Sequence, residues 1–184
     1  MRFMAVILIG SILLGLGGTC WVYFTQVVSS RKRMDEAWRE LEDQLDKRHE
    51  LLGPLVEGTK SNQAFEKAIV EIVSSFRGAS ADDSSDDLAS AESRFSRQLR
   101  SILCLGAKFP EMDAIGGFNT FQKDLVRVEM SVQAARKHYN NCVKVYNGLL
   151  GKFPTNVIAQ KIEYRREKSF EMQFAIDFKP SASD

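Results

Sequence analysis

The run from Phe3 to Ser30, FMAVILIGSILLGLGGTCWVYFTQVVSS, holds no charged residue. Written as an α-helix it reaches about 40 Å, more than the ~30 Å hydrocarbon core of a bilayer demands. Residues 1–30 therefore read as a single transmembrane anchor. Trp21 and Tyr23 stand near its far end, where amphipathic rings favour the headgroup region, and Arg31, Lys32 and Arg33 stop the segment. The apolar run continues through Trp21, Val22, Tyr23 and Phe24, which argues against a cleaved signal peptide. Gly17-Gly18-Thr19 makes a poor processing site in front of Cys20, so that thiol reads as unmodified. Gly10, Gly15, Gly17 and Gly18 permit close helix approach without a strict GxxxG pair, which keeps a homo-oligomer as a secondary option. Three basic residues follow the segment and Arg2 precedes it, so the positive-inside rule turns the rest of the chain towards the cytoplasm; the opposite, envelope-facing orientation is the alternative.

Beyond the anchor the apolar positions take helical spacing. Met34, Trp38, Leu41, Leu45, Leu52 and Leu55 fall at alternating steps of four and three, with Arg48 in the one stripe position between Leu45 and Leu52. Nothing between Val28 and Arg31 breaks a helix, so the anchor is expected to continue as one rod until Gly53-Pro54 kinks or ends it. A second helical segment carries Phe65, Ile69, Ile72, Val73 and Phe76, and the polar stretch from Arg77 to Asp87, with helix-start residues at its close, is the clearest loop. A third holds Leu88, Phe95, Leu99, Ile102 and Leu103 and stops at Phe109-Pro110. The fourth is the most regular: Phe121, Leu125, Val128, Val132, Ala135, Tyr139, Cys142, Tyr146, Leu149 and Phe153 alternate four and three, and Pro154 closes it. TNVIAQKIEY suggests a short helix after that, Ser169 to Phe178 an extended strand, and the last residues a disordered end. The fold class is all-α: an N-terminal transmembrane helix continuing into a long-helix antiparallel four-helix bundle, residues 31–168, with a tail at 169–184 that is partly extended or disordered.

The side chains offer little chemistry. With 25 basic and 24 acidic residues the chain lacks the concentrated basic face that nucleic acid requires. Cys20, Cys104 and Cys142 are odd in number and without CxxC spacing, and His49 and His138 are the only imidazoles, so neither a disulfide framework nor a metal or cofactor site is expected. Asp82, Asp83, Asp86 and Asp87 lack the glycine and closing glutamate of an EF-hand and read as a solvated, capping loop. A di-metal centre in a bundle wants Glu-x-x-His, which is absent, and His138 near Cys142 faces a stripe better read as packing than as a nucleophile and base. No catalytic residue is assigned.

Arg48 stands out. A charge on a core face needs a partner, and Glu129 or a tyrosine hydroxyl from the fourth helix is the candidate; the alternative is an arginine that snorkels at an edge. Tyr139-Asn140 recurs at Tyr146-Asn147, and that spacing of seven belongs to a packed helix. The rings are expected in the seam with partners for their hydroxyls. Asn140 and Asn147, one step round, are expected to set register against a neighbouring helix, or to form a recognition edge for a partner peptide.

The order of these motifs is similar to that of the LemA family over nearly the whole chain after the anchor. RMDEAWRELEDQLDKRHELL, GGFNTFQKDLVRVE and AARKHYNNCVKVYNGLLGKFPTNVIA carry the resemblance. The family pattern falls on Ala37, Trp38, Gln44, Leu45, Lys47, Arg48, Phe118, Gln122, Leu125, Glu129, Ala135, Arg136, Tyr139, Asn140, Tyr146, Asn147, Phe153, Pro154 and Asn156. Gly53-Pro54, and the loop from Gly106 to Ala114, depart from it. The resemblance implies a membrane-anchored bacterial protein with a long-helix bundle, related to the magnetosome protein MamQ and without an established enzyme activity. The functional expectation is a non-enzymatic adaptor or scaffold in the bacterial inner membrane, with an unidentified protein partner. Its rival is an anionic-lipid-binding or membrane-organising protein that uses Arg31 to Arg33 and the basic run Lys161 to Lys168.

Overall fold

The computed structural model describes residues 2–59, 67, 69–70, 85–108, 118–161 and 163–174; within its helices the side chains of residues 2, 5–6, 8–9, 11–13, 16, 58–59, 85–87, 105–108, 158 and 160 lie outside that description. The described residues are helical apart from short turns and one irregular C-terminal segment, with no strand among them. Helix α1, Arg2–Glu50, runs unbroken for 49 residues. It is followed by α2, Leu52–Thr59, α3, Ser85–Lys108, α4, Phe118–Leu150, and α5, Thr155–Lys161. Among the described residues no helix is long and apolar enough to cross a membrane. Ala5, Val6, Leu8, Ile9, Ile12, Leu13 and Leu16, a large part of the apolar run, are not among the side chains described.

The rod expected from Val28 onwards is continuous, but its end differs from expectation. The helix breaks at Leu51 and resumes over Gly53-Pro54, because Pro54 falls in the first turn of α2, where its missing N–H would have had no intrahelical partner. Helix α3 starts at Ser85, so Asp86 and Asp87, at the close of the polar stretch where helix-start residues are expected, stand in its first turn; acidic residues there complement the helix dipole. Of the second segment, Ile69 is described and is buried, while Phe65, Ile72, Val73 and Phe76 lie outside the described residues, as do Asp82, Asp83, the loop from Phe109 and the final residues.

The chain divides into two compact units. The first comprises Met1–Arg39 and His138–Ser169. Within it α1 and α4 pair antiparallel: Trp38 packs on Tyr139 with ring centroids 5.0 Å apart, and the Arg31 guanidinium lies over the Tyr146 ring at 5.6 Å. Val27, Met34, Ala37, Tyr139, Val143 and Tyr146 are buried along this seam. Helix α4 ends at Leu150, and Gly151 opens a turn closed by Thr155, whose hydroxyl meets the carbonyls of Leu149 and Lys152. That early stop moves Phe153 off the stripe where its spacing had placed it, and it is 83% exposed. Helix α5 ends with Glu163 in the left-handed region at φ 56° and Tyr164 N–H bonded to the Ala159 carbonyl at 3.0 Å, the six-to-one bond of a Schellman motif.

The second unit comprises Glu40–Lys137 and Phe170–Asp184. Leu52, Leu55, Ile69, Phe95, Leu99, Ile102, Phe118, Phe121 and Leu125 form its hydrophobic cluster. Each sits on the stripe its sequence spacing predicts, apart from Phe118 at the first position of α4.

Candidate functional site

Two polar centres stand on α1, one in each unit. Arg48 is fully buried in the second. Its Nε and Nη2 reach Glu129 Oε1 at 2.9 and 2.7 Å, Nη1 reaches Glu92 Oε2 at 3.0 Å, and Nη2 donates to Ser96 Oγ at 2.6 Å. Its guanidinium also lies 5.1 Å from the Phe95 ring centre. Both carboxylates are themselves buried. His49 Nε2 stands 2.9 Å from Glu92 Oε1, a pairing that carries charge when the imidazole is protonated, and its ring meets Phe95 edge-on. The pairing of Arg48 with Glu129 fulfils the sequence expectation and removes the edge-snorkelling alternative. Glu92 and Ser96 were missed. The signal was present: Leu88, Glu92, Phe95, Leu99 and Ile102 alternate four and three, so a glutamate occupies a core position of α3 just as an arginine does on α1.

Ser96 links this centre to the C-terminal segment. Its hydroxyl lies 2.6 Å from the Gln173 carbonyl, Gln173 N–H donates to Ser93 Oγ at 3.1 Å, and Arg100 Nη2 donates to the Phe174 carbonyl at 2.7 Å. Phe170 and Met172 turn inward and are buried, while Glu171 and Gln173 face out. Arg136, on α4, lies over the Phe174 ring at 4.9 Å and 3.7 Å from Glu171. Of the strand expected from Ser169 to Phe178, the described residues, as far as Phe174, have the alternation of a strand but no strand partner among the described residues: side chains of α3 meet the backbone groups of Gln173 and Phe174.

In the first unit Arg31 occupies the corresponding role with a different environment. Its Nη1 pairs with Glu167 Oε1 at 2.6 Å and its Nε with Asp35 at 3.1 Å, and the side chain is 33% exposed. Partial burial works against its charge, but the neighbouring Tyr146 and Glu167 outweigh that and hold the guanidinium above its ordinary pKa. Burial pushes the Tyr146 phenol up, with Arg31 pulling the other way; the Tyr139 phenol is raised by burial and then by the Glu167 charge. Asn147 forms a two-point clamp on the chain's own backbone, Nδ2 donating to the Glu167 carbonyl at 2.7 Å and Oδ1 accepting from Glu167 N–H at 3.0 Å. Tyr139 donates to the Lys168 carbonyl at 3.4 Å. The expectation that Asn147 binds a neighbouring helix is therefore corrected: an amide presents one donor and one acceptor at the spacing of an extended backbone, and it meets the segment after α5.

The other singled-out residues serve packing or lie at the surface. Gln122 and Asn140 are half-buried, and Gln44 is half-buried with its amide 3.4 Å from Asp43. Ala37, Leu45, Phe118, Leu125 and Ala135 are core positions; Lys47 is exposed and pairs with Asp43 at 2.6 Å. Asn156 accepts from Val157 N–H at 2.8 Å. Among the described residues no three or more His, Cys, Asp and Glu side chains are arranged to hold a metal ion.

The comparisons with known proteins agree with the pattern of these positions. The model of the LemA family matches residues 37–181. The match does not extend to a relation with MamQ, and no curated protein matches the chain. With more than half of its length under that match, the chain belongs to the LemA family.

Proposed function

We propose that this LemA-family chain is a non-enzymatic, membrane-anchored helical protein of the bacterial inner membrane that works as an adaptor or scaffold for a protein partner. The carrying observation is the continuity of α1, which joins the uncharged run at its start to Arg48 near its end within one unbroken helix. A spanning helix that continues for the twenty residues after Ser30 holds its far end about 30 Å from the bilayer surface. Such a device acts by position. The basic flank Arg31 to Arg33 directs the helical part to the cytoplasm. Helix α4 offers a recruiting face away from its stripe, where Val126 and Met130 lie one turn apart and Met130 is 57% exposed.

Alkaline carbonate extraction of membranes carrying the full chain tests the anchor: retention in the membrane fraction is expected, and release to the supernatant contradicts it. A photo-crosslinking residue at Met130 tests the adaptor role. A discrete adduct lost on Val126→Lys is expected; crosslinking no different from that at exposed Ser101 argues against a recruiting face.

A second reading, contact with anionic lipid, is supported by the exposed cations Lys161, Arg165, Arg166 and Lys168. It requires salt-sensitive association of these residues with anionic headgroups. Charge reversal at Arg165 and Arg166 is expected to reduce crosslinking of the full chain to anionic lipid, and an unchanged yield removes this reading.

A further inference from the structure

The first unit has a fixed antiparallel register. Trp38 meets Tyr139, and seven residues back on α1 Arg31 meets Tyr146, seven residues on along α4. The same step sets Leu150 level with Val27 and brings the chain after α4 level with Phe24. Val27 is buried, although it lies inside the uncharged run. Leu150 therefore stands about 6 Å to the anchor side of Arg31, and the turn at Gly151 that carries Phe153 opens on that side. On that cap Phe153 is 83% exposed and Val157 49% exposed, while Thr155 and Ala159 are buried beneath them. Lys152, Lys161, Arg165 and Arg166 are exposed cations on the same stretch of chain, and Glu163 is the one exposed acid among its described residues from 151 to 166. Arg166 lies close to the turn, its Nη2 3.3 Å from the place a β-carbon on Gly151 would take.

We propose that this cap is a second membrane contact, with Phe153 and Val157 entering the headgroup and upper acyl region of an anionic leaflet beside the anchor. Isolated exposed apolar side chains are ordinary and carry no argument alone. What selects a lipid surface here is the depth set by the register, together with the exposed cations. An apolar face with basic flanks lies about 5–10 Å into the headgroup and acyl boundary, and each nearby cation adds attraction to an anionic surface. The contact would fix the rotation of α1 about its own axis, which a lone spanning helix leaves free. The proposal rests on the reading of residues 1–30 as a membrane anchor.

The test uses the full chain, with Cys20, Cys104 and Cys142 replaced by serine, in vesicles of phosphatidylcholine and phosphatidylglycerol. Single cysteines at Leu14, Phe153, Val157 and Ser101 carry an environment-sensitive fluorophore, quenched by lipids bearing a nitroxide at shallow or deep acyl positions. The Val157 label leaves Phe153 in place. The expected result is quenching of Leu14 by the deep nitroxide, blue-shifted emission and shallow-nitroxide quenching at positions 153 and 157, and neither at Ser101. Labels at 153 and 157 that match Ser101 while Leu14 is quenched overturn the cap contact and leave the anchor standing. An unquenched Leu14 overturns the anchor and the proposal together. A blue shift at 153 that follows protein concentration and is indifferent to nitroxide lipid assigns the patch to a second copy of the chain and also overturns it.

Discussion

Arg31 and Arg48 lie on the same helix, each paired with a glutamate distant in sequence, yet they answer to different physics. Arg48 has no contact with solvent and three oxygen-bearing partners; Arg31 keeps a third of its side chain in solvent and rests against a tyrosine ring. A buried ion must be matched completely, because desolvation costs several kcal/mol per charge and a lost partner leaves that cost uncompensated. A half-exposed ion is screened, and water replaces whatever is removed. The buried centre therefore enforces one arrangement of α1, α3 and α4 within its unit, whereas the Arg31 centre is a modest contributor that orders the segment after α5.

The largest expected effect follows from that contrast. Arg48→Met strands two buried carboxylates and is expected to destabilise the protein by about 3–5 kcal/mol. In a chain of this size that lowers the melting temperature by roughly 10 °C. A fall no greater than that of Arg31→Met would mean that burial does not set the two arginines apart. Asn147→Ala leaves both backbone groups of Glu167 without their clamp, and is expected to cost about 1–3 kcal/mol. It should also speed amide exchange at Glu167; unchanged exchange there would mean that the amide is dispensable. Arg31→Met is expected to cost no more than about 1 kcal/mol, and less in high salt. A salt-insensitive loss of several kcal/mol would move Arg31 into the class of Arg48.

How much of this was legible in the sequence depends on what kind of signal each element carried. The stripes of α1, α3 and α4 were readable because a core face repeats every three or four residues, and Arg48 was conspicuous as the charge on such a face. Glu92 lay in an equivalent position, but a glutamate on a charged helix beside Ser90, Ser93 and Ser96 reads as solvated until its partner is placed opposite. Phe153 was misassigned because the four-three rhythm runs on past Gly151, where the helix has already stopped. The C-terminal segment was readable only as extended. Its backbone is held by serine, arginine, tyrosine and asparagine side chains far away in sequence, and no local pattern records that kind of pairing.

The smallest effect concerns alkali. The Tyr146 phenol titrates higher in the fold than in the unfolded chain, where tyrosine ionises near pH ~10. Below that pH both states hold the proton and its contribution is intact. Above it the unfolded chain gives up the proton first, so stability falls as pH rises until the folded phenol ionises too. Tyr146→Phe is expected to flatten the alkaline limb of the stability profile while leaving the neutral region shifted by a constant amount. A limb of unchanged slope would assign the alkaline loss to other groups.

The buried pairing of Arg48 with Glu129 acts as a unit, and a double-mutant cycle measures it most directly. Chemical denaturation of Arg48→Met, Glu129→Leu and the combined variant should give a coupling of about 2–3 kcal/mol, with the double variant more stable than the sum of the singles predicts. Losses that add to within about 0.5 kcal/mol would mean that the two side chains are independent, and would contradict it.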